Sequence, residues 1–203
     1  IPLRLVGSEM CIRDRPGSGS TIMGYAGITG PDNLQKHGDP YFHYYSIKNI
    51  SNYVGTISCG NTVSFENQVF RIDAGPDYYI PIGTAYELNF NPVKEEGLNS
   101  YCWEQLDSAE ITSDNFGPNN VIGSMTRSLP PSDIPTRTIP NINRILSNNL
   151  TQENPGLNSA WETVPLVGRD LNWGLTVRKE LNSFNQIAQD AIKISALATS
   201  GPF

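Results

Sequence analysis

Leu171, Trp173, Leu175 and Val177 alternate with Asn172, Gly174, Thr176 and Arg178. Successive side chains of a strand point to opposite faces, so apolar residues at period two commit this stretch to a strand with one buried face. The pattern recurs. Phe70 and Ile72 alternate with Val69, Arg71 and Asp73, while Tyr86, Leu88 and Phe90 alternate with Glu87 and Asn89. Tyr101 and Trp103 share one face of a further strand and Cys102 and Glu104 the other, and across 191–197 Ile192 and Ile194 stand opposite Ala191 and Lys193. Short strands joined by turn-rich links, in a chain with 18 Gly and 15 Pro, predict a mainly β protein. For residues 61–203 the expected architecture is an immunoglobulin-like β-sandwich. A proline-rich insertion over 111–162 interrupts the even spacing, with one short helix expected near 141–146.

Ahead of these strands lies a segment of different character, Gly17-Ser18-Gly19-Ser20-Thr21-Ile22-Met23-Gly24-Tyr25-Ala26-Gly27-Ile28. Four glycines and two serines among twelve positions make no stable helix. The segment reads as a tight turn that presents Ile22, Met23 and Tyr25. An aperiodic loop over 31–45 is expected to wrap it. Ser46 then stands before Ile47, Ile50 and Val54, an N-cap followed by apolar positions at helical spacing, with Gly55 as a stop. The prediction is a short helix over 46–53.

A formal charge of −6 with only 14 Lys plus Arg leaves no basic field to hold a phosphate backbone, which argues against a nucleic-acid partner. No apolar run approaches the length of a membrane span. The two histidines, His37 and His43, stand six apart. A helical zinc site needs two histidines four apart with a glutamate beside the first, so these read as loop histidines near the start of a helix. Asp32 and Asp39 read as turn and cap residues. Apart from Cys11, the cysteines are Cys59 and Cys102, which allow one bridge or two free thiols. Trp103 and Trp173 read as sandwich core, whereas an exposed aromatic strip would point to a ligand-binding face.

The segment 17–28, with Asp32-Asn33-Leu34-Gln35 and Asp39-Pro40-Tyr41-Phe42-His43 after it, resembles the Met-turn region of reprolysin-type metzincin zinc peptidases. Asp73-Ala74-Gly75-Pro76-Asp77, Ile80-Pro81-Ile82-Gly83-Thr84, Tyr101-Cys102-Trp103-Glu104-Gln105, Leu175-Thr176-Val177-Arg178 and Ser200-Gly201-Pro202-Phe203 are similar to the module that follows the peptidase domain in the same secreted family. The order of these pieces carries the resemblance, which covers most of the chain from Gly17 onward.

The resemblance implies a C-terminal fragment of a secreted zinc endopeptidase, cleaving a peptide or protein substrate in the intact parent. Met23 would form an apolar floor under the zinc ligands, and Tyr25 would stabilise the oxyanion of the tetrahedral intermediate. The family's His-Glu-x-x-His-x-x-Gly-x-x-His motif does not occur in the sequence, so this chain is expected to bind no zinc and to be inactive alone. Residues 1–15 show neither helical nor strand periodicity and read as a non-native, unstructured leader. The resemblance then implies a remnant of the truncated α/β metzincin domain over 16–60 with the Met-turn and its C-terminal helix, and the β-sandwich over 61–203. The remnant is expected to lack most of its packing partners. Relatives often carry an Asp-rich calcium loop, but Pro92-Val93-Lys94-Glu95-Glu96-Gly97 makes a poor oxygen cage. The rival reading is a non-catalytic adhesion or carbohydrate- or protein-binding β-sandwich module. Nothing in the sequence indicates the oligomeric state.

Overall fold

A computed structural model describes residues 15–61, 70–92, 98–181, 184–199 and 201. Among these residues the chain is mainly β. Strands β1 (Tyr78–Pro81), β2 (Tyr86–Asn89), β3 (Leu98–Gln105), β4 (Thr136–Ile139), β5 (Arg169–Leu181) and β6 (Phe184–Leu197) are accompanied by helices α1 (Tyr44–Val54) and α2 (Ile142–Leu146) and a 3-10 turn at Gly30–Asp32. The strands form a four-stranded sheet in the order β1-β6-β5-β3 and a two-stranded sheet of β2 and β4. β1 runs parallel to β6, and the other pairs are antiparallel.

The period-two pattern fixes the register. Leu171 lies opposite Ile194, Trp173 opposite Ile192, and Leu175 opposite Trp103, so one apolar face runs across three strands. That face packs in a single cluster with Tyr86, Leu88 and Ile139 from the small sheet. Trp173, Leu175, Leu88, Ile139 and Ile194 are all fully buried there. Each such side chain contributes about 1.5–3 kcal/mol by leaving water, so this cluster dominates the stability of the fold.

The opposite face of β3 and β5 is also covered. Cys102, Glu104 and Thr176 are buried, and Gly174 leaves the space that Tyr44 of α1 fills. A Cβ at position 174 would sit 2.6 Å from Tyr44 Cδ2. Gln189 Nε2 closes the contact by donating to Tyr44 O at 3.0 Å and to Thr176 Oγ1 at 3.1 Å.

Several expectations need correction. Helix α1 starts two residues before the expected 46–53, because His43 and not Ser46 is its N-cap, and it ends at Gly55 as read. Residues 70–77 join no ladder, and pairing begins only at β1; the start of the strand expected at 69–73 lies outside the described residues. The Ala74 amide instead donates to Asp190 Oδ2 at 2.8 Å. β4 lies inside the proline-rich insertion. Arg15, expected in an unstructured leader, is buried and donates to Ser46 Oγ at 3.3 Å. Residues 1–14 and the candidate calcium loop at 93–97 lie outside the described residues.

The segment around the glycine-rich turn has partners of its own. Leu34 is fully buried against Ile111, Phe116 and Trp161, a second apolar cluster that joins the turn region to the insertion. Phe116 meets Trp161 edge-on at 5.3 Å between ring centroids. Buried charge braces the insertion as well. Glu162 accepts from Arg137 Nη2 at 3.1 Å and from the Asn141 amide at 2.9 Å, while the Arg137 guanidinium lies over the Trp173 ring.

Candidate functional site

The turn over 17–28 is built by backbone hydrogen bonds, as its glycine content demands. Gly17, at φ +53°, tolerates no side chain, because a Cβ there would collide with Asp32 O, Leu34 Cδ1 and Trp161 Cη2. The Ser18 amide donates to Asp32 O at 2.8 Å, the Tyr25 amide to Ser18 O at 2.8 Å, the Asp39 amide to Ser20 O at 2.6 Å and the Ile22 amide to Tyr41 O at 3.0 Å. The loop over 31–45 therefore wraps the turn. Asn33 Oδ1 accepts from the amides of Gly27 and Thr29 and from the Thr29 hydroxyl, which locks the second half of the turn. Asp32 ends the 3-10 turn and ties it to the insertion, its Oδ1 accepting from the Ser113 amide at 2.6 Å and the Ser113 hydroxyl at 2.9 Å.

This framework holds three large apolar side chains in solvent. Ile22 is 49% and Met23 48% exposed, and Ile28 is more exposed still. Tyr25 is half-buried. On α1, Ile50, Tyr53 and Val54 are exposed. The helix buries Tyr44 against the sheet and Ser46 against Arg15, and its C-terminal residues Ile50, Tyr53 and Val54 stay open.

The two histidines are separated in role. His37 is exposed, and its carbonyl accepts from Gln35 Nε2. His43 is fully buried, where its Nδ1 accepts from the Tyr45 amide at 3.3 Å and its Nε2 faces Glu104 Oε1 at 3.7 Å. Glu104 is fully buried as well, and its Oε2 accepts from the Tyr44 amide at 2.7 Å. Burial and then the nearby Arg15 charge hold His43 well below its usual range. Burial pushes Glu104 up to about 7 against the stabilising Tyr44 amide, Arg15, Ser128 and Arg178. Burial raises the Cys102 thiol, and the adjacent Glu104 raises it further. Cys59 is exposed, and both thiols are free.

A catalytic zinc needs three protein donors and an open position. Among the described residues no group of three His, Cys, Asp or Glu side chains could hold a metal ion. His43, whose Nδ1 already caps a helix inside the protein, is not placed to serve one. The described residues therefore offer no donor set that fits zinc.

The tryptophans are all interior. Trp103 is 3% exposed, and Trp161 and Trp173 are fully buried. Trp103 Nε1 donates to Pro135 O and Trp161 Nε1 to Gly156 O, so these indoles serve packing and form no exposed aromatic strip. No helix among the described residues is long and apolar enough to cross a membrane.

Sequence reasoning missed the His43–Glu104 pair. Alternation alone assigns Glu104 to an open face, and only the packing of α1 across that face buries it. The position of His43 at a helix start was the one available signal. No protein family, curated protein or solved structure matches the chain.

Proposed function

We propose that this chain supplies the Met-turn and an accessory immunoglobulin-like β-sandwich to a secreted zinc endopeptidase, and that by itself it is inactive. The observation that carries the reading is the hydrogen-bonded turn that holds Ile22 and Met23 half-exposed; on α1, Ile50, Tyr53 and Val54 are uncovered as well. An apolar floor of this kind suits the underside of a metal-binding helix, and its side chains gain by leaving water when covered. Met23 then packs beneath the zinc ligands as a structural side chain and not as a ligand. Tyr25, two residues on and half-buried, is the candidate donor to the oxyanion.

The sandwich assignment has its own support. It comes from a four-stranded sheet and a separate β2-β4 pair whose apolar residues share one core, an arrangement compatible with two packed sheets. Burial of all three tryptophans favours a scaffold role over the rival carbohydrate-binding or adhesion module.

The test is to express the chain with its native upstream coding sequence and assay cleavage of a protein substrate with and without a chelator. Chelator-sensitive cleavage that falls at least tenfold in Tyr25→Phe supports the enzyme reading and the role of Tyr25. Cleavage unchanged in Tyr25→Phe removes the role of Tyr25, and no zinc-dependent cleavage at all removes the enzyme reading.

A further inference from the structure

Helix α1 is joined to the sheet through two titratable side chains that are fully buried, His43 and Glu104. Their geometry assigns the protons. Nδ1 of His43 accepts the Tyr45 amide, so it carries a lone pair, and the ring proton sits on Nε2, which faces Glu104 Oε1 at 3.7 Å. A second proton on His43 would have to go on Nδ1. It would point at the Tyr45 N–H and abolish the cap of α1. Glu104 Oε2 meanwhile accepts the Tyr44 amide, leaving Oε1 as the place for a proton.

We propose that His43 and Glu104 form a proton-relocating latch: docking of α1 on the sheet requires His43 to give up its Nδ1 proton, and Glu104 takes up one proton on Oε1 in exchange. The exchange passes through solvent and balances, with one proton lost from imidazolium and one gained by carboxylate. This device is independent of the enzymatic reading above.

The charged and titratable groups that bear on the pair come from every side. Arg15 approaches from the preceding segment, Tyr41 from the loop before α1, Cys102 from β3 itself and Arg178 from β5, with Arg137 of β4 acting on Tyr41 and Cys102. The shifts agree with the geometry. His43 is lowered well below 6.5 in the docked state, so its contribution is present above 6.5 and lost as pH falls below it. Glu104 is raised from 4.5 to about 7, so its contribution is present below 4.5 and lost as pH rises through about 7. Between about 4.5 and 6.5 the docked form holds its proton on Glu104 and the released form holds it on His43, and the two slopes cancel.

The test is amide hydrogen exchange of α1 in the full chain across this pH range, corrected for intrinsic exchange and read at Tyr44, Tyr45 and Ile47. Wild type is expected to keep level protection between about pH 4.5 and 6.5. Glu104→Gln keeps the acceptor but not the titration, and its protection should fall toward tenfold per unit as pH drops below 6.5. His43→Asn keeps a cap oxygen, and its protection should fall as pH rises from about 4.5 to 7. Variant profiles parallel to wild type overturn the latch. Should either variant fail to fold, nitrogen NMR of wild-type His43 at pH 6 decides instead: a neutral ring protonated at Nε2 supports it, and an imidazolium overturns it.

Discussion

Glu104 Oε2 lies 2.7 Å from the Tyr44 amide nitrogen, so a strand residue fastens the first turn of a helix 60 positions earlier in the chain. A carboxyl group at a helix N-terminus also meets the positive end of the helix dipole. Through this contact the sheet fixes α1, and the Ile22 amide's bond to Tyr41 O extends the hold to the glycine-rich turn.

Glu104→Ala should therefore release α1 while leaving the sheet intact. The orphaned Tyr44 N–H costs about 1–3 kcal/mol. Hydrogen exchange should show faster opening at Tyr44 and Ile47 and unchanged protection in β5 and β6. Equal loss in both places would show that Glu104 supports the whole fold instead.

Gly174→Ala tests the same docking from the other side. The added Cβ meets the Tyr44 ring, and overpacking of this kind costs about 1–3 kcal/mol. The urea midpoint should fall with an unchanged slope. A neutral result would mean that Tyr44 swings away freely.

Arg137 and Glu162 form a pair whose side chains are 9% and 3% exposed. Leaving either charge alone should be severe, with Glu162→Leu or Arg137→Met costing about 3–5 kcal/mol. The double variant should cost less than either single change. Additive losses in a double-mutant cycle would deny the coupling.

Purified as it stands, the chain should retain no zinc after dialysis, because its histidines are six apart and one caps a helix inside the protein. Elemental analysis checks this directly. A stoichiometric zinc ion would contradict the assignment of His43 to the fold.

The strands that bury one face against the main core were legible, since alternation in β2, β3, β5 and β6 reports a local requirement. β1 was not, because its four residues gain their place only by parallel pairing with β6, more than a hundred positions away. β4 was hidden by its flanks, Pro135 and Pro140, which read as breakers although they border a strand of only four residues. At the candidate site, the turn was legible from its glycines, and the wrapping loop from its lack of period. The start of α1 was misread because Ser46 looks like a cap, whereas tertiary packing of Tyr44 moves the helix start to His43. Cys102 and Glu104 follow strand alternation faithfully, and their burial depends on an element that no local pattern connects to them.

The central claim is that Met23 lies under the metal site of a zinc endopeptidase. Determining from genomic DNA the coding sequence that precedes Pro16 tests it most directly. The account predicts His-Glu-x-x-His-x-x-Gly-x-x-His encoded shortly before Gly17. An uninterrupted reading frame without those ligands would contradict it, and the β region would then become the working part of the protein.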